Sequence, residues 1–165
     1  MIEIKTIGSR GLELEAAIDM FREYRDELNE NINFQDFEKE LSYPLAKYGP
    51  PDGVLLIALY NGSPAGCIAL HALSGNEICE MKRLYVRPAF RSCHLGKKLC
   101  KALIEKAKKL NYKTMVLDTL ERLKPAIALY KNLSFIETEP YYYNPLGGVI
   151  YMKKDLTSLH PDYNC

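Results

Sequence analysis

The sequence predicts one mixed α/β domain, with a central, mostly antiparallel sheet of about seven strands and about four flanking helices. Apolar, β-prone segments and amphipathic segments of helical period follow one another in the order β-α-α-β-β-β-α-β-α-β-β. Short turns join the three middle strands, which favours antiparallel pairing. The 165 residues show no repeat and no linker, so we expect a domain over residues 1–156 and a C-terminal tail over 157–165.

The first half is expected to hold a strand, two helices and three antiparallel strands. These span residues 2–7, 12–28, 34–41, 54–60, 65–70 and 78–86. Apolar residues at Leu14, Ile18 and Phe21, with charges between them, indicate an amphipathic first helix. Pro44 is expected to end the second helix, and Asn61-Gly62 is typical of a tight hairpin turn.

The second half is expected to alternate helices and strands. These span residues 96–110 (helix), 114–117 (strand), 125–133 (helix), 135–138 (strand) and 149–156 (strand). The helix from Gly96 turns apolar residues inward and its lysines outward. Pro125 suits the first position of the next helix. A tyrosine-rich loop joins the last two strands.

Composition and charge exclude several classes of protein. A net charge of +1 gives no general attraction to nucleic acid or membranes, and no apolar run is long enough to cross a bilayer. The N-terminal residues form no signal peptide, and the five scattered cysteines form no Cys-x-x-Cys pair, so we expect a reducing cytoplasm. The three histidines lack metal-ligand spacing, and no metal is expected.

The segment from Glu80 to Lys98 is the most informative part of the chain. A β-prone run meets Pro88, a short polar loop follows, and a lysine-rich helix begins near Gly96. Backbone N–H groups at a helix N-terminus form an anion site, and Arg91 stands beside this one. The segment therefore predicts a site for a phosphate group, most simply a pyrophosphate.

Two motifs resemble the Gcn5-related N-acetyltransferase (GNAT) superfamily, and the loop from Tyr141 to Pro145 with the strand after it resembles stand-alone bacterial members. In the acetyl-coenzyme A loop Arg91 and Gly96 match, whereas His94 replaces the first glycine. The second segment, Leu123 to Phe135, matches at Ala126, Leu129, Tyr130 and Phe135 but has Leu123 for the usual Asn and Ser134 for the usual Gly. The element order of the superfamily also matches across nearly the whole chain.

The resemblance implies that acetyl-coenzyme A is the co-substrate and that the fourth and fifth strands splay to form its cleft. Backbone groups near Leu84, Tyr85 and Val86 would pair with the pantetheine arm. Arg91 and the amides of the turn would hold the pyrophosphate, and Ala126 would lie beside the coenzyme. The turn residues are Ser92, Cys93, His94, Leu95, Gly96 and Lys97. For His94 an ordinary surface-loop role is the alternative to a phosphate contact. Cys93 is interpreted as an ordinary loop cysteine, with a redox-sensitive thiol as the alternative.

The resemblance also implies two catalytic residues. Glu80 would be the general base, directly or through a water chain, and Tyr130 the general acid for the departing thiolate. The alternatives are a solvated or ion-paired Glu80 and a packing role for Tyr130. Further along the cleft, Tyr141 to Tyr143 would wall the acceptor pocket. Arg83 or Lys82 would bind an acceptor carboxylate, unless they mark a solvated strand face.

The sequence therefore predicts direct transfer of an acetyl group from the thioester to a primary amine of a small molecule or amino acid. A protein or peptide amine as acceptor stays open, and so does a homodimer. Two other classes remain as alternatives. One is a coenzyme A-binding sensor without turnover, and the other is a nucleotide-binding α/β protein, which the lack of G-x-x-x-x-G-K-[ST] and G-x-G-x-x-G motifs disfavours.

Overall fold

The computed structural model describes residues 1–157, in which helices cover both faces of a seven-stranded sheet. The strands are β1 (Ile2–Thr6), β2 (Val54–Tyr60), β3 (Ser63–Ala72), β4 (Ile78–Val86), β5 (Thr114–Leu120), β6 (Ile136–Glu137) and β7 (Val149–Asp155). The helices are α1 (Leu12–Leu28), α2 (Phe37–Ser42), α3 (Leu45–Tyr48), α4 (Leu95–Lys109) and α5 (Lys124–Asn132). Short 3-10 segments lie at Asn33–Gln35 and Pro88–Cys93.

The sheet confirms the predicted fold class. Its order is β1-β2-β3-β4-β5-β7-β6, and every neighbouring pair is antiparallel except β4 and β5. Within the described residues β4 and β5 pair only from Ile78–Thr114 to Glu80–Val116. Beyond this point β4 stays paired with β3 and β5 with β7, but β4 and β5 no longer pair with each other, which opens a cleft through the sheet.

A β-bulge in β4 lies at the start of this cleft. The partners of Cys67 and Ala69 on β3 are Tyr85 and Lys82, so β4 carries one residue more than β3 in this interval. Arg83 takes the left-handed conformation with a φ of 62°. As a result Lys82 and Arg83, although consecutive, both direct charged side chains to the face that carries α1 to α3.

The core has two layers, one on each face of the sheet. The layer under α4 and α5 includes Leu99, Leu103 and Tyr130, and the layer under α1 to α3 includes Phe21 and Tyr48. Alternate residues of β2 enter the two layers, as expected for a central strand buried on both faces.

Several boundaries differ from the sequence prediction for local reasons. Pro44 ends α2 as expected, but it also caps α3, a one-turn helix that begins at Leu45. The expected polar loop is largely a 3-10 segment that starts at Pro88, and β5 continues to Leu120. Asn61 and Gly62 both have positive φ, which confirms the tight hairpin.

The predicted tail lies outside the described residues except for Thr157. No helix in the range 1–157 combines the length and the apolar character that a membrane span requires.

Candidate active site

Three adjoining cavities follow the opening between β4 and β5. The outer groove is lined by Leu84, Tyr85, Val86, Arg91, Gly96 and Ala126, among others. The central cleft shares Leu84 and Ala126 with this groove and adds Lys82, Asp118 and Tyr130. The tyrosine pocket is lined by Tyr141, Tyr142, Tyr143, Lys47, Lys82 and Glu80, among others, and shares Lys82 and Gln35 with the central cleft. Together they form a passage from one edge of the splay to the other.

Backbone groups of β4 face the outer groove. The Arg91 Nε donates to the Val86 carbonyl at 2.9 Å, and Arg87 N–H bonds Ala65 on β3 at 2.8 Å. Because backbone groups alternate in direction along a strand, Val86 and Leu84 turn their N–H and C=O groups away from β3. Tyr85 points its backbone the other way, toward Cys67. Leu84 and Val86 can therefore pair with an extended ligand.

The N-terminus of α4 offers free amides at the end of this groove. His94 caps the helix without a side-chain hydrogen bond, and Lys98 N–H is the first amide to bond back, to the His94 carbonyl. Within residues 1–157 the amides of Leu95, Gly96 and Lys97 have no backbone acceptor. The arrangement fits an anionic group, as expected for a pyrophosphate site. Ser92 and Cys93 lead into this turn within the 3-10 segment.

Arg91 is oriented by two acceptors. Besides the Val86 carbonyl it contacts Glu27 of α1 at 2.6 Å, and both side chains are about half exposed. An exposed ion pair of this kind contributes little stability. The Arg91 guanidinium is therefore held at the groove, where it can exchange this partner for a phosphate.

Replacing Arg91 with alanine is expected to weaken coenzyme A binding about tenfold or more, because charge-assisted hydrogen bonds contribute about 1.5–3 kcal/mol. Titration calorimetry with coenzyme A measures the change. Arg22→Ala, which removes an exposed ion pair with Asp19 on the same helix as Glu27, is the control and should bind normally. An unchanged dissociation constant for Arg91→Ala would contradict the assignment of the groove.

His94 occupies a position at which glycine is favoured. Its φ is 56°, in the left-handed region, and this is the place where the superfamily motif has its first glycine. The His94→Gly variant should be neutral or gain up to about 1 kcal/mol in the free energy of unfolding, measured with urea. Asn111→Gly, at a φ of 66°, is the matched control with a smaller gain, since asparagine tolerates this region better. A loss of coenzyme A affinity in His94→Gly would instead reveal a phosphate contact of the imidazole.

Glu80 is buried and surrounded by hydrogen-bond donors. Tyr141 donates its hydroxyl to Oε2 at 2.6 Å, His71 Nε2 lies 2.7 Å from Oε1, and the Lys82 ammonium is 3.7 Å away. Burial alone would raise the pKa of Glu80, but the hydrogen bond with His71, the Lys82 charge and the Tyr141 hydroxyl lower this pKa to about 2. Glu80 is therefore ionised at neutral pH.

Asp118 joins the tyrosine-rich loop to the sheet. Its carboxylate accepts from Lys82 at 3.2 Å, from the Tyr142 hydroxyl and from the Asn144 amide at 2.8 Å. Tyr142 in turn accepts from Gln35 at 3.1 Å. This network lies where the central cleft meets the tyrosine pocket, so it shapes the passage between the two.

A second buried network lies behind the tyrosine pocket. Arg83 donates from Nε to Glu40 Oε2 at 2.7 Å and from Nη2 to Oε1 at 3.2 Å, and from Nη1 to Gln35 at 2.9 Å. Tyr48 adds a hydrogen bond to Glu40 Oε1 at 2.8 Å. Arg83 and Glu40 are thus fully engaged with each other, and the Arg83 guanidinium is not free for a substrate.

Tyr130 lines the central cleft from α5, on the opposite face from Glu80. Its ring packs against Phe135, while its hydroxyl forms no hydrogen bond with the described residues. Burial, with smaller effects of Cys100, Tyr24 and Asp118, raises the pKa of Tyr130 well above its usual value. The hydroxyl therefore keeps its proton at neutral pH and is available as a donor in the cleft.

The predicted residues are distributed along the passage. Leu84, Tyr85, Val86, Arg91, Gly96 and Ala126 line the outer groove, Tyr130 the central cleft, and Glu80 the tyrosine pocket. Ser92, Cys93, His94, Leu95 and Lys97 form the turn before and into α4 but are not part of the groove lining. Lys82 and Arg83 are buried, so the alternative of a solvated strand face is wrong for both.

Sequence reasoning missed His71, Glu40 and Lys47. His71 is the direct cross-strand partner of Glu80, which counting back through the turn at Ser74 would have shown. Glu40 and Lys47 lie on short helices between β1 and β2, and no local pattern connects them to Arg83. The described residues contain no group of three or more His, Cys, Asp or Glu side chains arranged for a metal ion.

A family model described as "Acetyltransferase (GNAT) family" matches residues 16–135, which is most of the domain and includes the whole passage except the tyrosine-rich loop. The chain belongs to the GNAT acetyltransferase family. An N-acetyltransferase of Schizosaccharomyces pombe is 43% identical over 162 residues, covering 95% of this chain and 99% of that protein. This GNAT chain is therefore an acyltransferase. Its similarity to a yeast protein does not confirm the bacterial type that the sequence suggested.

Solved GNAT-type structures share the fold. An acetyltransferase of Streptococcus agalactiae has 23% identity and a TM-score of 0.78, covering 93% of this chain and 98% of that one. The PaiA N-acetyltransferase of Thermoplasma acidophilum, solved in complex with coenzyme A, has 18% identity and a TM-score of 0.70, covering 94% and 99%. At 23% and 18% identity, the similarity to these two structures shows a shared fold and no more.

Proposed function

We propose that this GNAT protein transfers the acetyl group of acetyl-coenzyme A directly to a primary amine of a small molecule or amino acid. The observation that carries the proposal is the passage itself. A groove with free backbone amides leads through the splay of β4 and β5 to a pocket with a buried carboxylate, Glu80. The coenzyme A complex of the structural neighbour from Thermoplasma acidophilum supports this ligand.

The outer groove has the groups that would hold the donor. Leu84 and Val86 present backbone N–H and C=O groups to an extended amide-containing chain such as pantetheine. Leu95, Gly96 and Lys97 present amides to a pyrophosphate, and Arg91 adds a positive charge. Bound acetyl-coenzyme A would supply a thioester as the activated acyl group.

Two groups would manage the protons of the transfer. The ammonium first loses one proton to give the free amine. The amine nitrogen then bonds to the acetyl carbonyl carbon as the C–S bond breaks, the nitrogen loses a second proton, and one proton reaches the thiolate. Glu80 would accept the amine proton, directly or through water; with a pKa of about 2 it would pass this proton on rather than keep it. Tyr130 would donate a hydrogen bond or proton to the sulfur.

The thiols of the chain support direct transfer over an acyl-enzyme. Burial raises the pKa of Cys79 and Cys100 to about 12 and that of Cys67 further still. None of the cysteines in residues 1–157 lines the three cavities. No activated thiolate is therefore placed where it could receive an acetyl group. A cytoplasmic location and a homodimer stay predictions.

The test is release of coenzyme A thiol by the 165-residue chain, supplied with acetyl-coenzyme A and a broad panel of primary amines. We expect acceptor-dependent thiol release and a mass increase of the acceptor by one acetyl group. Binding of coenzyme A raises the melting temperature if the outer groove is the site. Tight binding without turnover on any amine would favour the sensor, and no binding at all would refute the proposal.

A further inference from the structure

The tyrosine pocket contains two lysine ammonium groups that no sequence motif explains. Lys47 of α3 and Lys82 of β4 both line its wall, and Lys82 also faces the central cleft. Their side chains are 31% and 7% exposed. Two cations in one partly buried cavity are costly unless each has an anionic partner.

The carboxylate nearest to Lys47, that of Glu40, is already engaged by other donors. Glu40 lies 3.4 Å from the Lys47 ammonium, but its two oxygens accept from Arg83 at 2.7 and 3.2 Å and from Tyr48 at 2.8 Å. The ammonium also lies over the Tyr48 ring, 5.4 Å from its centroid. Burial lowers the pKa of Lys47, and the charges of Arg83 and Lys82 lower this pKa further. The charges of Glu40 and Glu80 oppose this shift without reversing it, so the compensation of the ammonium is incomplete.

Lys82 is compensated better, yet it also keeps donor capacity. It bonds Asp118 at 3.2 Å and is 3.7 Å from Glu80. Asp118, however, is shared with Tyr142 and Asn144, and Glu80 with His71 and Tyr141. An anion between the two lysines would complete the coordination of both ammonium groups and relieve their mutual repulsion.

Two acidic side chains, Glu80 and Asp36, line the same pocket. They indicate where the positively charged group of a bound molecule would lie, opposite its anionic group. Asp36 is exposed at the rim, whereas Glu80 is buried beside the cleft. A bound molecule would thus meet a carboxylate at Glu80 and ammonium groups at Lys47 and Lys82. This pattern complements a molecule that carries both an amine and an anionic group.

Aromatic side chains form the remaining wall. Tyr143 is 83% exposed and Phe34 38% exposed, and Tyr141 packs on Tyr142 with 5.3 Å between ring centroids. Exposed rings at a pocket mouth favour an apolar or aromatic side group. The pocket volume of about 530 Å³ is ample for a molecule the size of one amino acid.

We propose that the acceptor is a small α-amino acid or similar amino carboxylate with an apolar side group, whose carboxylate is bound by Lys47 and Lys82 and whose amine faces Glu80. The proposal rests on the proposed N-acetyltransferase function and specifies its substrate class. It excludes polyamines and the side-chain amines of proteins, because neither offers a carboxylate beside the reacting nitrogen.

Matched acceptors test the carboxylate directly. L-Phenylalanine and L-leucine are compared with L-phenylalaninamide, L-leucinamide and phenethylamine at fixed acetyl-coenzyme A, with thiol release as the readout. We expect kcat/KM for the acids to exceed that of the amides and of phenethylamine by about 10- to 100-fold, the usual effect of a charge-assisted contact. Equal or better use of the amides would overturn the proposal.

Variants of Lys47 test the site. Lys47→Met should raise KM for L-phenylalanine about tenfold or more with little change in kcat, and leave KM for L-phenylalaninamide within about twofold. Lys47→Arg should restore much of the affinity for the acid. Lys39→Met, which removes an exposed lysine of α2 outside the pocket, is the control and should match the wild type. Equal effects of Lys47→Met on acid and amide would overturn the assignment.

A binding measurement separates this inference from the proposed function. The products N-acetyl-L-phenylalanine and N-acetyl-L-phenylalaninamide are compared by thermal shift in the presence of coenzyme A, with wild type and Lys47→Met. Only the acid with wild-type protein should raise the melting temperature. Turnover of other amines with no preference for the acids would refute the amino-acid site alone, whereas lack of turnover on every amine would refute the proposed function as well.

Discussion

Replacing Tyr130 with phenylalanine is expected to lower the turnover number about 100-fold, within the range that general acids contribute. The hydroxyl forms no hydrogen bond with the described residues and faces the central cleft, so its loss removes a donor and leaves the packing against Phe135 intact. Affinity for coenzyme A and the melting temperature should therefore barely change. Steady-state kinetics with the best acceptor, together with calorimetry, measure both quantities.

A matched control removes a tyrosine hydroxyl elsewhere. The control is Tyr60→Phe. Tyr60 lies on β2, its ring packs against Phe90, and it lines none of the three cavities. Its turnover should equal that of the wild type. Full activity in Tyr130→Phe would leave this residue with a packing role and assign protonation of the thiolate to water or to another group.

Replacing Glu40 with alanine is expected to lower the free energy of unfolding by about 3–5 kcal/mol, the usual loss when one member of a buried ion pair is removed. Arg83 would remain buried, with Gln35 as its remaining hydrogen-bond partner. Urea denaturation followed by circular dichroism measures the loss. Such a change is a large fraction of the stability of a typical domain, so a lower yield of folded protein is also expected.

Two comparisons locate the origin of this loss. Glu38→Ala, on the same helix but with a 70% exposed side chain, removes only a surface contact with Arg25 and should cost less than about 1 kcal/mol. A double replacement, Glu40→Leu with Arg83→Met, should be more stable than Glu40→Ala because the buried Arg83 charge is removed together with its partner. A double variant as unstable as the single one would show that geometry, not charge, is decisive.

Much of the fold could be predicted because its signals are local. The periods of α1 and of the central strands, the Asn61-Gly62 turn and Pro125 as the first or second residue of α5 each depend on a few neighbouring residues. The bulge at Arg83 could not be predicted this way. It depends on a mismatch of one residue between two strands, and a positive φ at arginine leaves no mark in the sequence.

The candidate site was predictable only where a motif marks it. The α4 turn and Tyr130 lie in segments that resemble the superfamily, and they line or adjoin the passage; their roles stay predictions. No motif in the sequence marks the ion pairs in and behind the tyrosine pocket. Glu40 and Arg83 are 43 residues apart, and charged residues in a sequence are ordinarily taken to be solvated. Only the folded chain shows that they are buried together.

The extra residue at Arg83 shifts the alternation of side chains along β4 by one residue. Before it, odd-numbered residues such as Cys79 and Met81 pack toward α4; after it, Leu84 and Val86 do so. If the same residues paired with β3 without the bulge, the two faces of the strand's end would be exchanged while the sequence stayed the same. Tyr85 would turn toward α4, and the backbone groups of Leu84 and Val86 would turn to β3. The bulge, as much as the composition of β4, thus decides which residues of the strand's end line the groove and which face the same side as Glu80.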